Sequence, residues 1–291
     1  MARWSLHPTA HASARILLIP TAFGMDIQAP TAILNAGADL CAFEPCLGID
    51  VDSLAIGQLS GLMDEPPFSM CEAAVQQALR RQQWPVLLPS GMPASWGAIR
   101  AVWKHHPLLT VVHWGAHANI LASAEQMQGD PEVGYGTWSW LERIYQYQLG
   151  LVYVGLRSST GRGWQWIQEH QTPVFLAHQG WDPQQLVAAL PPHPVFLVID
   201  SNVLDPSVIP TVSYPEPGGL AWSDLLDNCR AIFAARPVLG VALGGLTVAN
   251  GTKQAARSLA RLLNWLLACH AFYADQSNKK TPEGSLESAG K

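Results

Sequence analysis

Short apolar runs rich in Val, Ile and Leu recur along the chain, each of the length of a buried strand and each separated by an amphipathic stretch. The runs predict strands at Arg15–Pro20, Asp39–Phe43, Pro85–Pro89, Leu108–Trp114, Leu151–Gly155, Pro173–Ala177, Val195–Ile199 and Pro237–Ala242. The stretches between and after them predict helices at Met70–Gln83, Trp138–Gln148, Trp164–His170, Pro183–Leu190, Trp222–Ala235 and Gly251–Ala271. Strand alternating with helix implies α/β layering: a mostly parallel sheet of about eight strands with helices on both faces. Right-handed crossovers then bring every strand's C-terminal end to one rim, where open parallel sheets bind their ligands. No linker-like stretch interrupts residues 1–274, which read as a single domain. The polar, aperiodic segment 275–291 reads as a disordered tail.

Composition narrows the function classes. Only 13% of residues are charged, against a usual level of roughly a quarter, and twelve are Trp. So few charges point to surface covered by association. Trp138, Trp140, Trp164, Trp166 and Trp265 are expected on helix surfaces that a partner would bury. A net charge of −5 without a basic stripe argues against nucleic acid. No apolar run reaches the roughly 18 residues of a membrane span, and the N-terminus lacks a signal-peptide core. The five cysteines show no metal-site spacing and read as free thiols, so the expected compartment is the cytoplasm.

Candidate chemistry collects at the strand ends. The run Val195–Ile199 delivers Asp200, Ser201 and Asn202, then Asp205-Pro206 and a Pro/Gly-rich loop through Pro210 to Glu216-Pro217-Gly218-Gly219-Leu220. Trp114-Gly115-Ala116-His117-Ala118-Asn119 follows Leu108–His113. Pro89-Ser90-Gly91-Met92-Pro93 follows the run from Pro85. His113 and His117 lie four apart on a strand and its turn, not on one helix face. His105-His106 reads as a solvated helix end. No nucleophile elbow, phosphate loop or dinucleotide fingerprint is present.

The Asp200-x-Asn202-x-x-Asp205-Pro206 signature and its loop resemble the ureohydrolase family of arginase, agmatinase and formimidoylglutamase, over roughly Arg15 to Cys269. The resemblance implies a three-layer arginase-like fold, assembly into trimers or hexamers, and two Mn²⁺ held by four aspartates and two histidines. Matched to that pattern, His117 and Asp200 keep their types, while Met92, Gly115, Asn119 and Asn202 replace the other ligands. Gly91 falls on the aspartate beside the histidine that Met92 replaces, and Ala242 and Gly245 fall on a lost Asp-x-x-Glu pair. Tyr135 falls where family members carry a proton-transferring histidine, or is a packed residue at a helix entry. Asp224 matches a guanidinium-binding Glu, or is an acid favoured in a helix's first turn. One carboxylate cannot balance two dications, whose burial without anionic ligands is costly. The expectation is a catalytically inactive homologue without cofactor, holding at most one weakly bound divalent cation. It would act as a regulatory or structural subunit or a ligand-binding protein, as a homo-oligomer or beside an active relative. The competing expectation is a divergent hydrolase of a linear amidine, guanidino or amide C–N bond, with a mononuclear or rebuilt site.

Overall fold

A computed structural model describes residues 13–24, 26–66, 68–121, 136, 139–248 and 252–280. Its strands are β1 (Ile16–Ala22), β2 (Phe43–Glu44), β3 (Ile49–Asp50), β4 (Ile56–Gln58), β5 (Leu62–Met63), β6 (Trp84–Pro89), β7 (Thr110–Trp114), β8 (Gly150–Leu156), β9 (Val174–Leu176), β10 (Val195–Asp200) and β11 (Val238–Gly244). The described helices are α1 (Ala29–Gly37), α2 (Ser69–Arg80), α3 (Ser95–His105), α4 (Glu142–Gln146), α5 (Gly161–Glu169), α6 (Pro183–Ala189), α7 (Trp222–Ala235) and α8 (Thr252–Lys280).

Nine strands form one sheet in the order β4-β1-β6-β11-β10-β7-β8-β9, with β5 also paired to β1. All of its pairings are parallel. β10 lies between β11 and β7 and is buried along its whole length. Its alternating side chains feed two cores. Val195, Leu197 and Ile199 join α1, α6, α7 and α8, whereas Phe196 and Val198 join α2, α3, α4 and α5. The two helical layers follow from that period of two.

Several expectations need correction. Asp39–Phe43 is not a sheet strand. The chain turns there into the antiparallel β2–β3 hairpin, and the carbonyls of Cys41 and Ala42 accept from Arg261 and Asn264 of α8. Side chains of a helix thus satisfy backbone groups that a ladder would otherwise use. The helix expected at Trp138–Gln148 is confined to Glu142–Gln146. Trp140, Leu141 and Trp265 are buried in the monomer, not presented on helix surfaces. Trp166 packs partly buried against the core and Trp164 stays exposed, while Trp138 lies outside the described residues. The last helix runs to Lys280, so the start of the expected tail is helical, and 281–291 lies outside the described residues. α1, α3, β4 and β5 had no clear signal in the pattern. α3 is buried from Ser95 to Val102 and exposed only at its C-terminal end, at Lys104 and His105.

Candidate functional site

The C-terminal rim of the sheet is assembled from the ends of β7, β10 and β11. Beyond β10, a single tight turn at Ser201–Val203 is capped by Asp200, whose Oδ1 accepts the Asn202 backbone N–H at 3.1 Å. Beyond β7, the chain stays paired alongside the β8 exit. The amides of Arg157 and Ser158 both donate to Ala116 O at 2.9 Å, and Ala118 N–H donates to Ser158 O at 3.0 Å. That extension carries His117 toward Asn202. The Asn202 Oδ1 accepts the Ala116 N–H at 2.9 Å, and its Nδ2 lies 3.3 Å from His117 Nδ1 and 3.5 Å from Ser213 O. On its other edge, His117 Nε2 lies 3.4 Å from Glu216 Oε1.

Two side chains fix the loop after β10. The guanidinium of Arg157 donates to the carbonyls of Asn202 at 2.8 Å, Glu216 at 2.7 Å and Pro217 at 3.0 Å, besides Gly155. Its planar fork suits several acceptors at once, which an ammonium would not. Asp205 accepts from Ser207 N and Oγ through Oδ1, and from the amides of Gly218 and Gly219 through Oδ2. Those hydrogen bonds, led by Ser207, hold its carboxyl down at about 2.

The replaced positions are filled by neighbours. A Cβ on Gly115 would lie 2.5 Å from His113 Nε2. The His113 ring is fully buried between the edges of Trp140 and Tyr153, and neither of its nitrogens has a hydrogen-bond partner. Burial pushes it down to about 3, so it is a neutral ring at any ordinary pH. Packed between Trp140 and Tyr153, His113 lies within the core, whereas His117 lies at the rim beside Asn202 and Glu216. Gly245 has φ +89°, and a Cβ there would collide with Asp200 Oδ1. A Cβ on the preceding Gly244 would meet Met92 Sδ at 3.0 Å. Met92 belongs to the core around α2 and α3. Asn119 is buried with φ +51°, a conformation that Asn tolerates better than most residues.

Of the positions singled out from sequence, the structure joins His117, Asp200 and Asn202, with Gly115 and Asn119 in the same turn. Asp224 lies apart, in the first turn of α7, beside a cavity of about 320 Å³ that Gln179, Trp181 and Asp227 also line. Tyr135 lies outside the described residues. Glu216 and Arg157 carried no signal of these roles, because each acts across a large sequence separation, as does the packing of His113 against Trp140 and Tyr153. Among the described residues, no three His, Cys, Asp or Glu side chains converge as a metal-binding group. Burial raises Asp200 to about 7, against the Asn202 hydrogen bonds and the nearby Arg157 charge. Burial lowers His117, with Glu216 opposing, so the imidazole is neutral at pH 7.

The all-parallel sheet order, the helices on both faces and a rim built on the β7 and β10 exits define an open three-layer α/β protein with its candidate site at the C-terminal edge of the sheet. The sequence profile of the arginase family matches residues 26–266, and the chain belongs to that family. It is 25% identical over 272 residues to an N(1)-aminopropylagmatine ureohydrolase of Thermus thermophilus, covering 88% of this chain and 90% of that protein. It is 23% identical over 247 residues to the agmatinase of Bacillus subtilis, covering 82% and 83%. The fold matches the agmatine ureohydrolase of Thermoplasma volcanium with a TM-score of 0.78 at 19% identity, covering 92% and 93%. It also matches the proclavaminate amidinohydrolase of Streptomyces clavuligerus with a TM-score of 0.74 at 16% identity, covering 89% and 93%.

The Asp200 carboxyl makes stability fall as pH rises. Its folded value of about 7 exceeds the ordinary 3.8, so the native state binds more protons between about pH 4 and pH 7. The Asp200 contribution is fully present below that window and declines through it by on the order of a few kcal/mol. Asp200→Asn should flatten the decline in urea melts taken across the window. Parallel wild-type and variant profiles would contradict the assignment.

Proposed function

We propose that this chain is a catalytically inactive member of the arginase family that works by binding, as a regulatory or structural subunit or as a ligand sensor. The observation that carries the reading is the donor set at the rim. Asp200 is the one carboxylate among the six matched ligand positions, and Asn202 offers a neutral amide already committed to Ala116 N–H. The space a side chain at 115 would need is taken by the His113 ring, and a side chain at 245 would strike Asp200. These residues do not fit a pair of Mn²⁺ ions. Two dications facing a single carboxylate leave their charge uncompensated in a desolvated crevice. Backbone carbonyls and amides suit at most one weakly held hard cation.

A second reading has its own observation. Asp200, whose carboxyl burial raises to about 7, is linked through Asn202 to His117, whose Nε2 lies 3.4 Å from Glu216 Oε1, an arrangement able to move a proton without two metals. That reading is a divergent hydrolase of an amidine, guanidino or amide C–N bond at a rebuilt site.

Turnover separates the two. Incubated with agmatine, N(1)-aminopropylagmatine, arginine or formimidoylglutamate, with and without added Mn²⁺, the protein should release no urea, ornithine, putrescine or glutamate above background. Release that disappears in Asp200→Ala would establish the hydrolase instead.

Association belongs to the same proposal. With few charges and with Phe43, Met63, Met70 and Leu108 exposed, the monomer leaves apolar surface for a partner, either another copy or an active relative. Light scattering coupled to size-exclusion chromatography should report a trimer or hexamer, or a complex when an active relative is co-expressed. A clean monomer at micromolar concentration that captures no such relative would remove that part of the proposal.

A further inference from the structure

The orientation of the Asn202 amide is settled by its backbone partner. The Ala116 N–H can only donate, so the atom 2.9 Å from it is the amide oxygen. The atom facing His117 Nδ1 is then the NH₂, which has no lone pair to offer. His117 Nδ1 must accept, and the neutral ring carries its proton on Nε2, where Glu216 Oε1 lies 3.4 Å away. Both ring nitrogens are thereby committed, one as acceptor and one as donor. Among the described residues, the Asn202 NH₂ faces Nδ1 and the Glu216 carboxylate faces Nε2. The second NH₂ hydrogen points toward Ser213 O, in the loop that Arg157 and Asp205 tie down.

We propose that the Asn202 carboxamide is an internal substitute for a metal ion and its carboxylate ligand: it donates to His117 Nδ1 and accepts from Ala116, holding the rim closed without any ion. This deepens the non-catalytic reading above and rests on it. Asn202 is a positioning residue. Through the carbonyl and the NH₂ of its one carboxamide it connects the turn after β7, the turn after β10 and the loop at Ser213. A carboxylate at 202 could not do the same work alone. It would face the His117 Nδ1 lone pair and force either a proton or a cation between them.

The test reads His117 directly in the full-length protein. Histidine labelled with ¹⁵N, with the His117 signals assigned by their loss in His117→Gln, should give an acceptor-type shift at Nδ1 and a protonated-type shift at Nε2, unchanged by EDTA or Mn²⁺. Asn202→Ala should move the ring toward a mixture of tautomers. Asn202→Asp should protonate both nitrogens in EDTA. It should also gain a Mn²⁺-dependent rise in melting temperature of at least about 3 °C at saturating metal, absent from wild type and Asn202→Ala. A proton on Nδ1 in the wild type would overturn the proposal, as would a wild-type melting temperature that rises with Mn²⁺ as much as the variant's. If Asn202→Asp does not fold, the wild-type and Asn202→Ala spectra decide. Metal-independent turnover together with the Nε2–H pattern would refute the non-catalytic reading and leave the Asn202 assignment standing. A silent protein with Nδ1–H would do the reverse.

Discussion

The rim depends on how a buried carboxylate is kept at the end of the central strand. β10 runs through the middle of a nine-stranded sheet and ends by placing Asp200 in a desolvated crevice. In such a place a charge needs a cation, a set of donors or a proton. Asp200 has the Asn202 amide, a share of the Arg157 charge and a raised affinity for a proton. A single buried acid can be accommodated this way. Four facing one another could not be without metal, so the neutral residues at 92, 115, 119 and 202 make one consistent arrangement.

That consistency extends to the neighbours. With Gly at 115, His113 takes the space beneath the turn and packs as an apolar ring between Trp140 and Tyr153. With Gly at 245, the chain passes close against Asp200 in a left-handed conformation that glycine adopts without strain. Adding a family-type side chain at either place would displace groups already in contact. The loop from Leu204 to Leu220 keeps its shape through Arg157 and Asp205, which bind its backbone without any ion. The described hydrogen bonds of this loop are made between protein groups, from the β8 exit at Arg157 to the turn at Asp205.

Much of this was legible in the chain. β-branched runs located the sheet's central strands, and Asp200, Asn202, Asp205 and the loop through Leu220 located the rim. The places where sequence reading failed share a physical cause. α3 carries Gly97, whose missing Cβ lets the helix approach Phe68 and Cys71, and its burial from Ser95 to Val102 depends on that contact between segments. Asp39–Phe43 looked like a strand because it is apolar, yet its carbonyls are satisfied by α8. Asp224 stands in the first turn of α7, as the alternative reading of a helix-favoured acid expects, and lines a cavity with Gln179, Trp181 and Asp227. The packing of His113 at Gly115, and the reach of Arg157 to the 202 and 216 carbonyls, exist only once distant segments meet.

The central claim is that the rim's donor set cannot hold two Mn²⁺. Metal analysis of the protein purified from Mn²⁺-supplemented cells, without chelator, measures it most directly. The account predicts well under about one Mn²⁺ per chain, and a melting temperature that EDTA does not shift. Near-stoichiometric binding of a closely spaced pair of cations, as two-metal hydrolases hold them, would contradict it.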